Sequence, residues 1–183
     1  ITDYLKITDA INFCIIAHAG QTRKYTGEPY ITHPIRVSQL VSVIETSTIE
    51  MIQAAILHDV IEDTKETYES VLQEFGATVA MLVYELTDKS TLFDGNRDKR
   101  KEIDRLNLSK ASIDAKTIKL ADLIDNSESI LKYDENFART YLKEKALLLE
   151  VLKDGNRFLY TKARCILVTS LMKMNLDITN THL

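Results

Sequence analysis

Residues 48–63 read Thr-Ile-Glu-Met-Ile-Gln-Ala-Ala-Ile-Leu-His-Asp-Val-Ile-Glu-Asp. Thr48 supplies a side-chain oxygen that can cap a helix, and the run through Met51, Ile52, Ala55, Ile56 and Leu57 is apolar on nearly every side. A helix of that composition has to be buried, so other helices must surround it. At its end, four side chains able to hold a metal or move a proton emerge together: His58, Asp59, Glu62 and Asp63. On a continuous helix His58 and Glu62 stand four apart on one face, as do Asp59 and Asp63. Carboxylates at the end of a nearly buried helix need a positive partner. A divalent cation is the economical one, because imidazole and carboxylate together suit Mn, Fe or Zn. The bland alternative is a helix end that frays into solvent.

Outward from this stretch the chain reads as a string of helices. Residues 3–19 place Leu5, Ile7, Ile11, Cys14, Ile15 and His18 along one side, and Gly20 follows as a C-cap. Gly27 and Pro29 mark a loop over 22–30, and Pro34 opens a helix carrying Ile35, Val37, Leu40, Val41 and Ile44. Two shorter helices, 66–75 and 77–88, are split at Gly76. Helices over 96–107, 112–133, 137–153 and 156–174 follow, the last carrying Ile166, Leu167, Val168, Leu171 and Met172. The 183 residues include only 5 Gly and 2 Pro, too few for the turns of a β-sandwich or barrel. The expected fold is all-α, a compact bundle of about eight to ten helices. It forms one domain over 1–183, with the motif-bearing core over 5–130 and helices 137–174 closing it.

Composition excludes several classes of function. Apolar residues make up 45% and charged residues 27%, the balance of a globular protein. A net charge of -4 argues against a partner held by general phosphate attraction, so no nucleic acid is expected. No apolar run approaches the roughly 18 residues of a membrane span. Asp3 and Asp9 stand where a signal peptide would be basic, and the missing initiator Met suggests a trimmed start. Cys14 and Cys165 both have apolar neighbours, which reads as two buried thiols in a reducing cytoplasm. Charge is uneven along the chain. Residues 45–74 hold eight acids against Lys65, whereas residues 96–110 hold six bases against three acids. Solvated helix faces explain such runs most simply; a cation site facing an anion site is the alternative.

A metal needs further ligands, and candidates are few. Only four histidines occur: His18, His33, His58 and His182. His182 lies at the C-terminus, where order is least expected. His18 reads more readily as a hydrogen-bonded core residue than as a ligand. His33, in Tyr30-Ile31-Thr32-His33-Pro34, sits at a helix start. Asp122 stands in the apolar segment Lys119-Leu120-Ala121-Asp122-Leu123-Ile124, an expensive place for a carboxylate without a partner.

His33, His58-Asp59 and Asp122, in that order, resemble the H…HD…D signature of the HD phosphohydrolases. The flanking text narrows the likeness. His18-Ala-Gly-Gln-Thr-Arg23-Lys24-Tyr-Thr-Gly-Glu-Pro29-Tyr30-Ile-Thr-His33-Pro34, Leu57-His58-Asp59-Val-Ile-Glu62-Asp63-Thr64 and Lys119-Leu-Ala-Asp122 are similar to the hydrolase domain of the RelA/SpoT alarmone enzymes. The resemblance implies an all-α domain that binds one Mn²⁺, with Fe²⁺ or Zn²⁺ as alternatives. It implies release of pyrophosphate from the 3′ position of (p)ppGpp-like nucleotides by a stand-alone small hydrolase, the chain ending before a synthetase could follow. It assigns His33, His58, Asp59 and Asp122 as metal ligands, and Glu62 and Asp63 as the acidic pair that handles the attacking water. Arg23 and Lys24 match the basic pair at the nucleotide, and Asn126 matches an asparagine near the ribose. Arg97, with Lys99 and Arg100, could meet the distal phosphates.

The chain also departs from the family. Leu123 stands where a base is usual, Ser127-Glu128 follows Asn126, and Tyr25-Thr26 lengthens the basic loop by one residue. These positions are expected to face the nucleotide. An adenosine alarmone, NADPH or a non-catalytic alarmone-binding module therefore stays open beside the guanosine alarmone, as does a homo-oligomer.

Overall fold

A computed structural model describes residues 2–174, so the expectation for His182 lies outside the described residues. Among them are nine α-helices and one 3-10 turn, with an isolated bridge from Thr22 to Pro29 as the only strand-like pairing. The fold is all-α. The chain divides into two compact units, one ending at Asp88 and the other starting at Lys89.

The first unit is organised around the stretch quoted above. Thr48 Oγ1 accepts the Met51 N–H at 3.2 Å and starts α3 (Ile49–Leu57). Met51, Ala54, Ala55, Ile56 and Leu57 are buried, and α3 packs against α1 (Thr2–Ala17), α2 (Thr32–Ser42) and α5 (Tyr68–Leu86). Gln53, also buried, donates its amide to the Lys6 carbonyl at 3.0 Å and so ties α3 to α1. Helix α1 buries Ala10 and Cys14, while Leu5 and Ile15 are exposed, so its apolar face is narrower than the sequence pattern suggests. His18 falls just past the end of α1. In α5 the split expected at Gly76 is present as a kink with φ +83° and ψ 172°, a conformation open essentially to glycine. A side chain there would cost about 1–3 kcal/mol.

One local expectation fails. His58 and Glu62 do not lie on a continuous helix, because α3 ends at Leu57 and a single turn, α4 (Val60–Asp63), starts after Asp59. The cause is a side chain. His58 Nδ1 bonds the Ala55 carbonyl at 2.9 Å, occupying the oxygen that the Asp59 N–H would use in an unbroken helix.

The second unit contains the 3-10 turn Leu92–Asp94, α6 (Arg97–Ser109), α7 (Ile113–Tyr133), α8 (Glu135–Val151) and α9 (Arg157–Lys173). Helix α7 packs on α8 and α9, with Ile118, Leu120, Ala121 and Ile124 buried. Helix α9 contributes Leu159, Ala163, Leu167 and Leu171, an i, i+4 stripe. Gly155 lets the turn before α9 come close, since a Cβ there would lie 2.9 Å from Leu120 Cδ1 and 3.2 Å from the Lys116 backbone. Buried Asp104 anchors the start of this unit by accepting the Lys89 and Ser90 N–H groups at 2.9 and 2.8 Å. Cys14 is buried as expected, and burial, followed by the Asp59 charge, pushes its thiol up to about 12. Cys165 corrects the expectation of two buried thiols. It is exposed, two residues from both Ala163 and Leu167 and so on the other side of α9. No helix among the described residues is long and apolar enough to cross a membrane.

Candidate metal centre

The break after α3 creates the site. His58 and Asp59 leave the helix together, at the end where the helix dipole is negative and favours a cation. The bond to the Ala55 carbonyl puts a proton on His58 Nδ1 and turns Nε2 toward Asp59 Oδ2 and His33 Nε2. His33 arrives from α2, whose first turn tolerates Pro34 because the missing N–H has no partner there anyway. Both histidines are buried at 1% exposure, and the Asp59 side chain is 17% exposed.

The three side chains converge. His58 Nε2 lies 2.9 Å from Asp59 Oδ2, His33 Nε2 lies 3.7 Å from the same oxygen, and the two Nε2 atoms are 3.2 Å apart. Adjacent donors around an ion with bonds of about 2.1–2.2 Å stand about 3.0–3.5 Å apart. The observed edges bracket that spacing. Two imidazole nitrogens this close to each other and to a carboxylate need a shared proton or a cation between them. His33, His58 and Asp59 thus make a possible His/Asp metal site, with donor atoms within 4.8 Å of one another.

The expected acidic pair follows within one turn. Glu62 accepts the Asp88 N–H at 3.2 Å, which holds its carboxylate at the end of α5. Asp63 remains exposed on one side, yet partial loss of hydration, followed by the nearby Asp59 charge and then Asp88, raises its pKa, with His18 and His58 opposing. A more basic carboxylate beside the centre is the better proton acceptor, and a bound cation would pull its pKa back down.

Two residues here, Tyr30 and Gln21, were given no role in advance. Tyr30 donates its hydroxyl to Asp59 Oδ2, and its ring stacks on His18 with centroids 4.4 Å apart. Gln21 bonds His18 Nδ1 at 2.8 Å and donates to the Asp63 carbonyl, also at 2.8 Å. The core reading of His18 agrees with its 4% exposure and this bond. The available signal was spacing: Tyr30 precedes His33 by three residues, and Gln21 follows His18 by three. Arg23 reaches the neighbourhood, its guanidinium 6.0 Å from the Tyr30 ring centroid. Lys24 is exposed and lies over the Tyr25 ring at 4.8 Å.

The other expected site residues belong to the second unit. Asp122 is buried on α7, its Oδ2 2.9 Å from Lys119 Nζ and its Oδ1 accepting from Asn126 Nδ2 at 2.5 Å. Asn126 is therefore turned to a carboxylate on its own helix. Arg97 is held in a two-point pair by Glu144, at 2.5 and 2.9 Å, with its guanidinium 5.3 Å from the Phe137 ring centroid. Leu123 and Ser127, expected to face a nucleotide, are instead buried, and Ser127 Oγ bonds the Leu123 carbonyl and lies 3.1 Å from the Tyr141 hydroxyl.

Comparison with known proteins identifies the family. A family model described as the HD domain matches residues 10–149, which covers every proposed ligand. The chain belongs to the RelA/SpoT-type HD hydrolases. It is 41% identical, over 66% of its length and 67% of the relative's, to the Drosophila melanogaster protein named guanosine-3′,5′-bis(diphosphate) 3′-pyrophosphohydrolase MESH1. It is 34% identical to the Homo sapiens protein of that name, over 83% and 87% of the two chains. A solved metazoan ortholog of SpoT, described as hydrolysing ppGpp and acting in starvation responses, superposes with a TM-score of 0.80 at 30% identity, covering 94% of this chain and 97% of that one. These relatives are named as pyrophosphohydrolases, so the HD hydrolase belongs to a family of enzymes.

Proposed function

We propose that this HD hydrolase is a Mn²⁺-dependent enzyme releasing pyrophosphate from the 3′ position of a (p)ppGpp-like nucleotide. The observation that carries the reading is the convergence of His33 Nε2, His58 Nε2 and Asp59 Oδ2 on one point. Asp122 is the fourth ligand expected from its match to the family motif, and the HD match across 10–149 supports a single hydrolase domain. Two imidazoles and two carboxylates suit Mn²⁺, with Fe²⁺ and Zn²⁺ as competitors. The names of the relatives support the substrate. A cytoplasmic nucleotide pool would supply it.

The bound ion supplies Lewis acidity, which makes water a better nucleophile and offsets phosphate charge. The chain does the rest. Glu62 and Asp63 orient the attacking water and accept its proton. The new O–P bond forms at the phosphorus on the 3′ oxygen, and the bond from that phosphorus to the ribose oxygen breaks. The ribose oxygen takes up a proton, leaving a nucleoside 5′-diphosphate and pyrophosphate. Arg23 and Lys24 bind the phosphates, while Arg97 stays with Glu144.

Leu123 and Ser127 are buried, so their departure from the family pattern does not bear on the base. The departures at Tyr25, Thr26 and Glu128, which are not buried, still stand, and it is the names of the relatives that favour the guanosine alarmone as substrate. A panel of guanosine and adenosine 3′-diphosphates and NADPH, incubated with protein and Mn²⁺, tests this through product release. Pyrophosphate from the guanosine compound is expected. No cleavage of any member would refute catalysis, and NADPH cleavage alone would refute the alarmone.

A further inference from the structure

We propose that Tyr30 is a positioning residue for the metal centre, its phenol holding the Asp59 carboxylate in the orientation of a ligand while His18 holds the phenol. The inference rests on reading His33, His58 and Asp59 as metal ligands. Tyr30 donates to Asp59 Oδ2, the same oxygen that both imidazole nitrogens face. A carboxylate oxygen has two lone pairs, so the phenol can take one and leave the other to a cation. Hydrogen bonds to a ligating carboxylate set its rotamer and basicity, and without one the side chain must be ordered each time the ion binds.

Tyr30 is itself fixed from two sides. Its carbonyl accepts the His33 N–H at 3.0 Å in the turn that opens α2, which sets its ring edge-to-face with the His33 imidazole at 5.9 Å between centroids. His18 lies against the ring at 4.4 Å, inclined by 25°. His18 is oriented in turn by Gln21, while its buried Nε2 has no hydrogen-bond partner among the described residues. The segment 18–30 therefore grips α4 at both ends: Tyr30 holds Asp59 just before it, and Gln21 holds the carbonyl of Asp63, its last residue. The grip uses side chains that bind no metal themselves.

The test is Mn²⁺ binding, measured by titration calorimetry on chelator-stripped protein, independently of turnover. Tyr30→Phe keeps the ring on His18 and removes only the donor. It is expected to weaken Mn²⁺ binding by about tenfold or more. Replacing Tyr30 with 4-aminophenylalanine, which returns an N–H donor to the same position, is expected to restore most of that affinity. Circular dichroism melts of both variants show that they are folded. Unchanged affinity in Tyr30→Phe would overturn the inference and leave the metal reading intact, as would a loss that the amine does not restore. A wild-type chain that binds no Mn²⁺ would overturn the metal reading itself, and the inference with it.

Discussion

Asp59→Ala is expected to abolish both metal binding and turnover in the HD hydrolase. Asp59 is the negative member of the cluster, and its Oδ2 is the atom that His33, His58 and Tyr30 all approach. Its loss leaves the two imidazoles, with Asp122 as the proposed fourth ligand, to hold a divalent ion. Outer partners of metal ligands commonly contribute 10- to 100-fold in affinity, so loss of the ligand itself should weaken binding by at least about 100-fold. Lewis-acid chemistry worth several kcal/mol goes with it, and turnover should fall by about three orders of magnitude or more. The fold should survive. The core around α3 rests on Met51, Ile56 and Leu57, and the substitution removes no apolar atom from it. Calorimetric titration of Mn²⁺, steady-state rates and a thermal melt on one preparation check all three statements. Tight Mn²⁺ binding by this variant would place the metal elsewhere.

Glu62→Ala is expected to separate binding from chemistry. Glu62 lies outside the cluster of donor atoms, and its carboxylate accepts the Asp88 N–H. Mn²⁺ affinity should therefore stay within about threefold of wild type, since none of the clustered donors is removed. Loss of a positioned proton-transfer group should lower kcat by about 10²–10⁴. Glu62→Gln, which can still accept the Asp88 N–H but cannot take a proton, should show the same fall in kcat. Recovery of kcat in Glu62→Gln would reduce Glu62 to a brace for the end of α5. Asp63, the other member of the acidic pair, would then be the candidate proton acceptor.

Much of this architecture was legible in the sequence because the signals were local. Thr48 as cap, the apolar run of α3 and the glycine break in α5 each depend on a few neighbouring residues, and each is present. His33, His58 and Asp59 were legible through the resemblance of their motifs, and their donor atoms do lie within 4.8 Å of one another. What escaped depends on contacts made at a distance or by side chains against backbone. The helix break at His58 follows from one imidazole bond to Ala55, which periodicity does not register. Arg97 read as a free base, but its partner Glu144 lies 47 positions further on. Asn126 read as a ribose contact, and Asp122 four residues before it has claimed its amide. Cys165 was misjudged because apolar neighbours in sequence do not share its face of α9. Tyr30 was visible in the motif, but its bond to Asp59 spans 29 residues.

In the proposed reaction, water activated beside a divalent ion attacks the phosphorus attached to the 3′ oxygen. The most direct test is ³¹P NMR of the products formed from guanosine 3′,5′-bis(diphosphate) in ¹⁸O-labelled water, by chelator-stripped protein before and after Mn²⁺ is restored. No products are expected without the ion. With it, guanosine diphosphate and pyrophosphate should form in equal amounts, the label residing only in pyrophosphate. Release of orthophosphate, label in the guanosine product, or an unchanged rate after metal removal would contradict that reaction.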